Sequence, residues 1–386
     1  MRITAVRSHV LAHDLAQELG YSQQYYRART AHLVEVQTDQ GVTGWGECFG
    51  PGNVALANKT IVERVIAPLV GGENPLDRER LWHKIYNLLR DHGQKGMPIQ
   101  ALSGVDIALW DIAGKVANAP LYRLIGGRCR EEIPVYGYGL MLRREENLAE
   151  SFAAEAAAIE RQGFGAVKMK VGLGRAQDIR LAQAVRAALS DSTLLMVDAN
   201  HCYTAADALY VGRALEELDV YWFEEPVAPE DRAGYRRLRD KLRIHIAGGE
   251  AEFTRWGWRD LLRGGCVDIA QPEVCGLGGI SEYLKVLALA HSEFVPVANH
   301  VWGSAVAVAV NLHLLTAMPD LPGGLHPWTP MLEYDTTPNL FRDELATAPL
   351  DLPAQIRATQ GHARAPETPG IGVQPDPAFL EKYRVA

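Results

Sequence analysis

Cysteine, long apolar runs and net positive charge are all scarce in this 386-residue chain, and each shortage excludes something. The five cysteines (Cys48, Cys129, Cys202, Cys266 and Cys275) are odd in number and include no CxxC pair, which argues against a disulfide framework. They are expected to be reduced thiols, mostly small buried filler. No apolar run approaches the roughly 18 residues that a membrane span needs. The opening MRITAVRSHVLAHDLAQELG has no long apolar core behind its first charges and no small-residue cleavage pattern, so a soluble, cytoplasmic protein is expected. Lys and Arg number 39 against 47 Asp and Glu, giving a formal net charge of -8. With no cluster of Lys and Arg interleaved with aromatics, nucleic acid is excluded as a partner. A small anionic substrate is not excluded, because it feels only the local field. GxxxxGK[ST], HExxH and GxSxG are absent. Gly276-Leu277-Gly278-Gly279 lacks both the full GxGxxG and a later ribose-binding acid, so dinucleotide binding has little support.

What the chain does have is a ladder. Lys170, Asp198, Glu224, Glu250, Glu273, His300 and Glu333 each end a short apolar run, separated by 28, 26, 26, 23, 27 and 33 positions. Each step is close to one strand-plus-helix unit, so a (β/α)8 barrel would bring all seven to one mouth. Composition is that of a globular protein, 47% hydrophobic and 22% charged, and the length suggests two or three domains.

Residues 1 to about 45 read as an antiparallel meander: ITAVRSHVLA, HLVEVQT and VTGWGEC, the last two joined across Asp39-Gln40-Gly41. Between the first two lies QELGYSQQYYRART, whose Tyr21, Tyr25, Tyr26, Arg27 and Arg29 either face a ligand or belong to a solvated loop. In LSGVDIALWDIAGKVA, Leu102, Val105, Leu109, Ile112 and Val116 recur at helical steps, while Asp106 and Asp111 read as caps or interface ion pairs. Pro120 and Gly126-Gly127 mark a boundary, giving an N-terminal domain over residues 1–127. Eight candidate strands then alternate with helices over residues 128–345: IPVYGYG, AVKMKV, LLMVD, VYWFEE, IHIAGG, VDIAQ, VPVAN and a short MLEY. Residues 346–386, rich in Pro and Gly, form a tail expected to pack back on the first domain.

Asp198, Glu224 and Glu250 end three successive strands, which would set three carboxylates against one another unless a divalent cation lies between them. Oxygen-only ligands favour a hard ion, Mg2+ before Mn2+. Glu225 is expected on the other face of its strand. Lys168 and Lys170, two apart, share the barrel's inner face. Their mutual repulsion is expected to lower a lysine pKa and yield a general base. Glu273 is placed to hold one imidazole nitrogen of His300 while the other works as acid or base. Glu333 is expected near a developing oxyanion. A hard cation between a lysine and a histidine suits abstraction of a proton α to a carboxylate.

At these residues the chain resembles the mandelate racemase branch of the enolase superfamily, almost end to end. GWGEC, ALSGVDIALWDIAGK, KMK, VDANH, WFEEP, AGGE, GLGG, NHVWG and LEYD carry the resemblance. Within that branch it looks most like sugar-acid lactone cycloisomerases, with acid-sugar dehydratases close behind. The resemblance implies an α/β fold, a modified TIM barrel (β/α)7β with an α+β capping domain, and a homo-oligomer between dimer and octamer. It implies one Mg2+ on Asp198, Glu224 and Glu250, Lys170 and His300 as acid/base groups, Lys168 polarising the substrate carboxylate, and Glu333 assisting the enolate. Asn200 matches a position that touches substrate, and His201, Trp302, Tyr25 and Arg27 are further substrate-binding candidates. The dyad acid of that branch is usually Asp, and here it is Glu273, one methylene longer. The implied reaction is β-elimination from a sugar acid or its lactone. The alternatives are racemisation or epimerisation of an α-hydroxy acid, or a non-catalytic metal-binding regulator.

Overall fold

The computed structural model describes residues 1–321 and 323–385. Three antiparallel strands open the chain, β1 (Ile3–Tyr21), β2 (Gln24–Thr38) and β3 (Thr43–Glu47), in the order β1-β2-β3. The first two run much further than the meander expected from sequence. The stretch read as either ligand-facing or loop is a continuous hairpin, with Leu19, Gly20 and Tyr21 opposite Tyr26, Tyr25 and Gln24. Its aromatic and β-favouring residues keep the ladder going, and a register shift between Asp14 and Leu19 hides the alternation.

The helix Met97–Val116 packs on this sheet and is buried from Ile99 to Gly114. Backbones touch there. A Cβ on Gly46 would stand 2.0 Å from the Gly104 carbonyl oxygen, so only glycine permits the approach. Asp111 in this helix accepts from Trp45 N, Ile371 N and Lys115 Nζ, and Asp106 accepts from Ser281 N, tying the sheet, tail and barrel to one helix.

Residues 133–335 form the barrel. Parallel strands β4 (Ile133–Leu140), β5 (Ala166–Lys170), β6 (Leu194–Asp198), β7 (Val220–Glu224), β8 (His245–Gly248), β9 (Ile269–Ala270) and β10 (Leu332–Asp335) pair in sequence, and β10 closes on β4. The seventh barrel position is a single parallel bridge, Ala270 to Val297. The strands read as VDIAQ and VPVAN are thus shorter than expected, and Pro272 and Pro296, lacking N–H donors, account for the break. A helix of at least ten residues follows each barrel strand but the last, after which come the short helices Leu340–Asp343 and Leu352–Thr359, and this makes the modified (β/α)7β barrel. Its interior is filled by Tyr136, Ala166, Met196, Trp222, Ala247, Ile269 and Ala298.

The tail adds β11 (His362–Ala363) antiparallel to β4, then bridges Pro120 through Gly370 and Leu11 through Arg384. Gly278 and Gly279 open the helix Gly279–Ser292, and a Cβ on Gly279 would lie 2.5 Å from Asp106 Oδ2. That glycine run serves helix packing. All five cysteines are unpaired; Cys48, Cys266 and Cys275 are buried as expected, whereas Cys129 is exposed and Cys202 half-buried. No helix among the described residues is long and apolar enough to cross a membrane.

Candidate active site

Parallel strands in a closed barrel end at the same rim, so the register fixes which side chains meet there. Lys170 pairs with Asp198 and Asp198 with Glu224 across β5, β6 and β7, and Glu250 follows β8 two residues past its end. One oxygen each from Asp198, Glu224 and Glu250 lies within 4.8 Å of the others. Asp198 and Glu224 are fully buried, and Glu250 Oε2 is a buried oxygen without a hydrogen-bond partner.

Two lysines lie against this triad. Lys168 Nζ donates to Glu224 Oε1 at 2.8 Å, stands 3.9 Å from Asp198 Oδ2 and pairs with Glu333. Lys170 Nζ pairs with Asp198 Oδ2. The Tyr138 ring lies 5.1 Å from Lys168 Nζ and 4.9 Å from Lys170 Nζ. On the opposite flank His300 Nδ1 meets Glu273 Oε2 at 2.7 Å and its Nε2 stands 3.2 Å from Glu250 Oε2. The extra methylene of Glu273 therefore does not cost the dyad its contact. Glu333 Oε2 accepts from Val301 N at 2.9 Å, joining β10 to the His300 loop.

The expected lowering of a lysine pKa is reversed. Burial opposes the charge on both lysines, but for Lys170 the Asp198 carboxylate, and for Lys168 Glu224 and Glu333, outweigh burial and mutual repulsion and hold both ammoniums well above their usual range. His300 follows the same pattern: burial opposes its charge, and Glu250, Glu273 and Glu333 push it up to about 10. Glu224 is raised as well, by burial and by the Asp198 charge, which for a carboxyl favours the neutral form. Four buried carboxylates and the half-buried Glu250 thus confront two lysines and a histidine, and a divalent cation on the triad would relieve that imbalance. The three oxygen donors, one of them orphaned, fit a hard cation.

The capping hairpin roofs the mouth. Ser22 Oγ and Gln23 Nε2 both donate to the Asn200 carbonyl at 2.8 Å, and Tyr21 and Tyr26 lie close enough to Lys170 to feel its charge. Tyr26 Oη is buried with no partner, its ring edge-on to Trp302 at 6.2 Å. Phe49 stands edge-on to both His300 and Trp302. Arg29, 3% exposed, donates to Asp335 Oδ2 at 2.5 Å and to Thr337, with its guanidinium 5.2 Å from the Trp302 ring.

Of the substrate-binding candidates, Asn200, His201 and Trp302 sit at this mouth. Asn200 and His201 adopt left-handed φ of 40° and 69°, the Asn200 Oδ1 is buried without a partner, and His201 Nδ1 lies 3.2 Å from Glu225. Glu225, 1% exposed, lies just past the end of β7 with a left-handed φ of 40°, so strand parity does not set its direction, and burial followed by the Glu250 and Asp198 charges pushes its carboxyl well above the usual range. Arg27 and Tyr25 are not brought to the site: Arg27 is 82% exposed and pairs with Glu18, and the Tyr25 ring covers Gly20 beneath Arg144. Hairpin alternation gives the roof to Tyr26 instead. Tyr138, Trp222 and Gln271 escaped the sequence reading; for Tyr138 the signal was present, since Tyr136 and Tyr138 alternate inward in the first barrel strand.

Comparison with known proteins agrees with this fold. Residues 16–126 match the family described as mandelate racemase / muconate lactonizing enzyme, N-terminal domain, and residues 151–379 match enolase C-terminal domain-like proteins. The chain is 39% identical over 385 residues to D-galactarolactone cycloisomerase of Agrobacterium fabrum, covering 100% of this chain and 99% of that one. It superposes on the 3,6-anhydro-D-galactonate cycloisomerase from Zobellia galactanivorans with a TM-score of 0.87 at 35% identity, covering 100% of both chains. A mutant L-talarate/galactarate dehydratase liganded with Mg and L-glucarate superposes with a TM-score of 0.86 at 27% identity, over 100% of this chain and 92% of that one.

Proposed function

The chain belongs to the mandelate racemase / muconate lactonizing enzyme family of the enolase superfamily, and on that premise we propose that it is a Mg2+-dependent lyase or isomerase of sugar acids, one that removes the proton α to a carboxylate and expels a β-oxygen. The observation that carries this reading is the placement of Lys170 and His300 on opposite flanks of the carboxylate triad. Asp198, Glu224 and Glu250 would hold the cation, which supplies Lewis-acid stabilisation to the carboxylate whose α-proton leaves.

With Asp198 engaged by the cation, the partner that holds the Lys170 ammonium would be withdrawn, and Lys170 takes the α-proton as the neutral amine. The C–H electron pair moves toward the carboxylate, where the Lys168 ammonium opposes the developing negative charge. The pair then forms the carbon–carbon double bond as the β-oxygen departs. Glu273 on Nδ1 directs His300 Nε2 toward the mouth, placing it to give that oxygen a proton. Where the leaving oxygen belongs to a ring, the product opens and tautomerises to a keto-acid.

The roof supports a substrate whose far end is neutral. Tyr21, Tyr26, Phe49 and Trp302 offer hydroxyls and ring faces, and the Arg29 charge is already matched by Asp335. A monoanion bearing a lactone or anhydro ring suits that surface better than an open-chain dianion, in keeping with the names of the two cycloisomerase relatives.

Proton NMR in D2O with Mg2+ and a panel of aldonic acids, aldaric acids and their lactones tests the reading, with Lys170→Ala as control. Loss of the α-proton with a new keto-acid is the expected result. Solvent deuterium at the α-carbon without elimination would replace it with the racemase reading, since the same two bases serve both. No reaction across the panel by metal-loaded protein would leave a non-catalytic metal-binding protein as the better account.

A further inference from the structure

Glu224 is held differently from the other two triad carboxylates. Its Oε2 accepts from Trp222 Nε1 at 3.0 Å and from Gln271 Nε2 at 2.7 Å, while Oε1 accepts from Lys168 Nζ at 2.8 Å. A carboxylate oxygen has about two lone pairs to offer, so Oε2 is filled and Oε1 retains one. Glu224 can present one oxygen to a cation and cannot turn to present two.

The two donors on Oε2 are as constrained as the carboxylate. Trp222 is fully buried in the barrel interior and Gln271 is 1% exposed. The amide orientation is fixed by its partner, because a flipped Gln271 would set Oε1 against a carboxylate oxygen. Glu250 lacks such restraint: its side chain is 16% exposed and its Oε2 has no donor in hydrogen-bonding geometry.

Ca2+ takes six to eight oxygens and favours bidentate carboxylates, whereas Mg2+ takes six in a tight octahedron. Resting on the metal reading above, we propose that Trp222 and Gln271 are positioning residues that lock Glu224 into one-oxygen coordination and so set the selectivity of the mouth for Mg2+ over Ca2+. They act through Glu224, as outer-shell partners orient a metal ligand elsewhere.

Isothermal titration of metal-stripped protein with Mg2+ and with Ca2+ separately tests this without reference to turnover. Wild-type protein is expected to bind Mg2+ more tightly than Ca2+. In Gln271→Met and Trp222→Phe, the Ca2+/Mg2+ ratio of dissociation constants should fall about tenfold, the scale on which outer-shell substitutions act. Circular dichroism checks that each variant folds, and Gln271→Leu stands in if the Met variant does not. An unchanged ratio in a folded variant would overturn the clamp while leaving the metal site intact. Failure of the wild-type protein to bind either ion would overturn the clamp together with the metal reading on which it rests.

Discussion

Buried carboxylates occur in two regions of this molecule and are satisfied in opposite ways. In the seam between the capping domain and the barrel, Glu47 accepts from Ser304 N at 2.9 Å, Ser304 Oγ at 2.6 Å and Ala307 N at 3.0 Å, at the start of the helix Ala305–Ala317. Asp111 is likewise matched by Trp45 N, Ile371 N and Lys115. At the mouth, Asp198, Glu224 and Glu250 turn oxygens toward one another, and Glu250 Oε2 has no donor in hydrogen-bonding geometry, with His300 Nε2 standing 3.2 Å away. A buried acid surrounded by N–H groups is finished as structure. Acids that face other acids need something from solution, and the contrast separates architecture from chemistry within one set of residue types.

The largest expected effect comes from removing a reacting group at the mouth. Lys170→Ala should slow α-proton loss roughly a thousandfold, the usual scale for a general base, with the circular dichroism spectrum unchanged. Stripping the cation should abolish turnover in the same NMR assay. Mg2+ added back at about 100 times its dissociation constant should stabilise the fold by about 2.7 kcal/mol, read as a rise in Tm. The seam should respond in reverse. Glu47→Ala leaves Ser304 N and Ala307 N unpaired in a buried place, costing about 3 kcal/mol of stability while Mg2+ affinity stays within severalfold of wild type.

A smaller effect concerns pH. Burial pushes Glu47 up to about 7 from its ordinary 4.5, against the hydrogen bonds from Ser304 and Ala307. The folded state then keeps a proton that the unfolded chain has shed, so this contribution is full below pH 4.5 and is lost as pH rises through about 7. Glu47→Gln should flatten that part of the Tm-against-pH curve. Smallest of all, Tyr26→Phe should raise KM several-fold, by roughly 1 kcal/mol, for a substrate that uses the roof, with kcat little changed.

Much of the mouth was legible because strand ends in a parallel barrel share one rim: a polar residue closing each apolar run, from Lys170 to Glu333, carries its position in its spacing. The Glu273–His300 contact followed from adjacency of strands. The electrostatics did not follow. Lys168 and Lys170 look like a repelling pair along the chain, and their governing partners, Asp198, Glu224 and Glu333, arrive from other strands. Likewise Arg27 and Tyr26 are neighbours in sequence, and only the hairpin register sends one to solvent and the other to the roof. Gln271 and Trp222 carry no signal in one dimension, since their role exists only against Glu224.

The most direct measurement is a crystal soaked in Mn2+ and read by anomalous scattering. A single strong peak about 2.1 Å from oxygens of Asp198, Glu224 and Glu250, with none beside Glu47, Asp106 or Asp111, is the predicted result. A mouth without a peak, or a peak in the seam, would contradict the division between the two sets of acids.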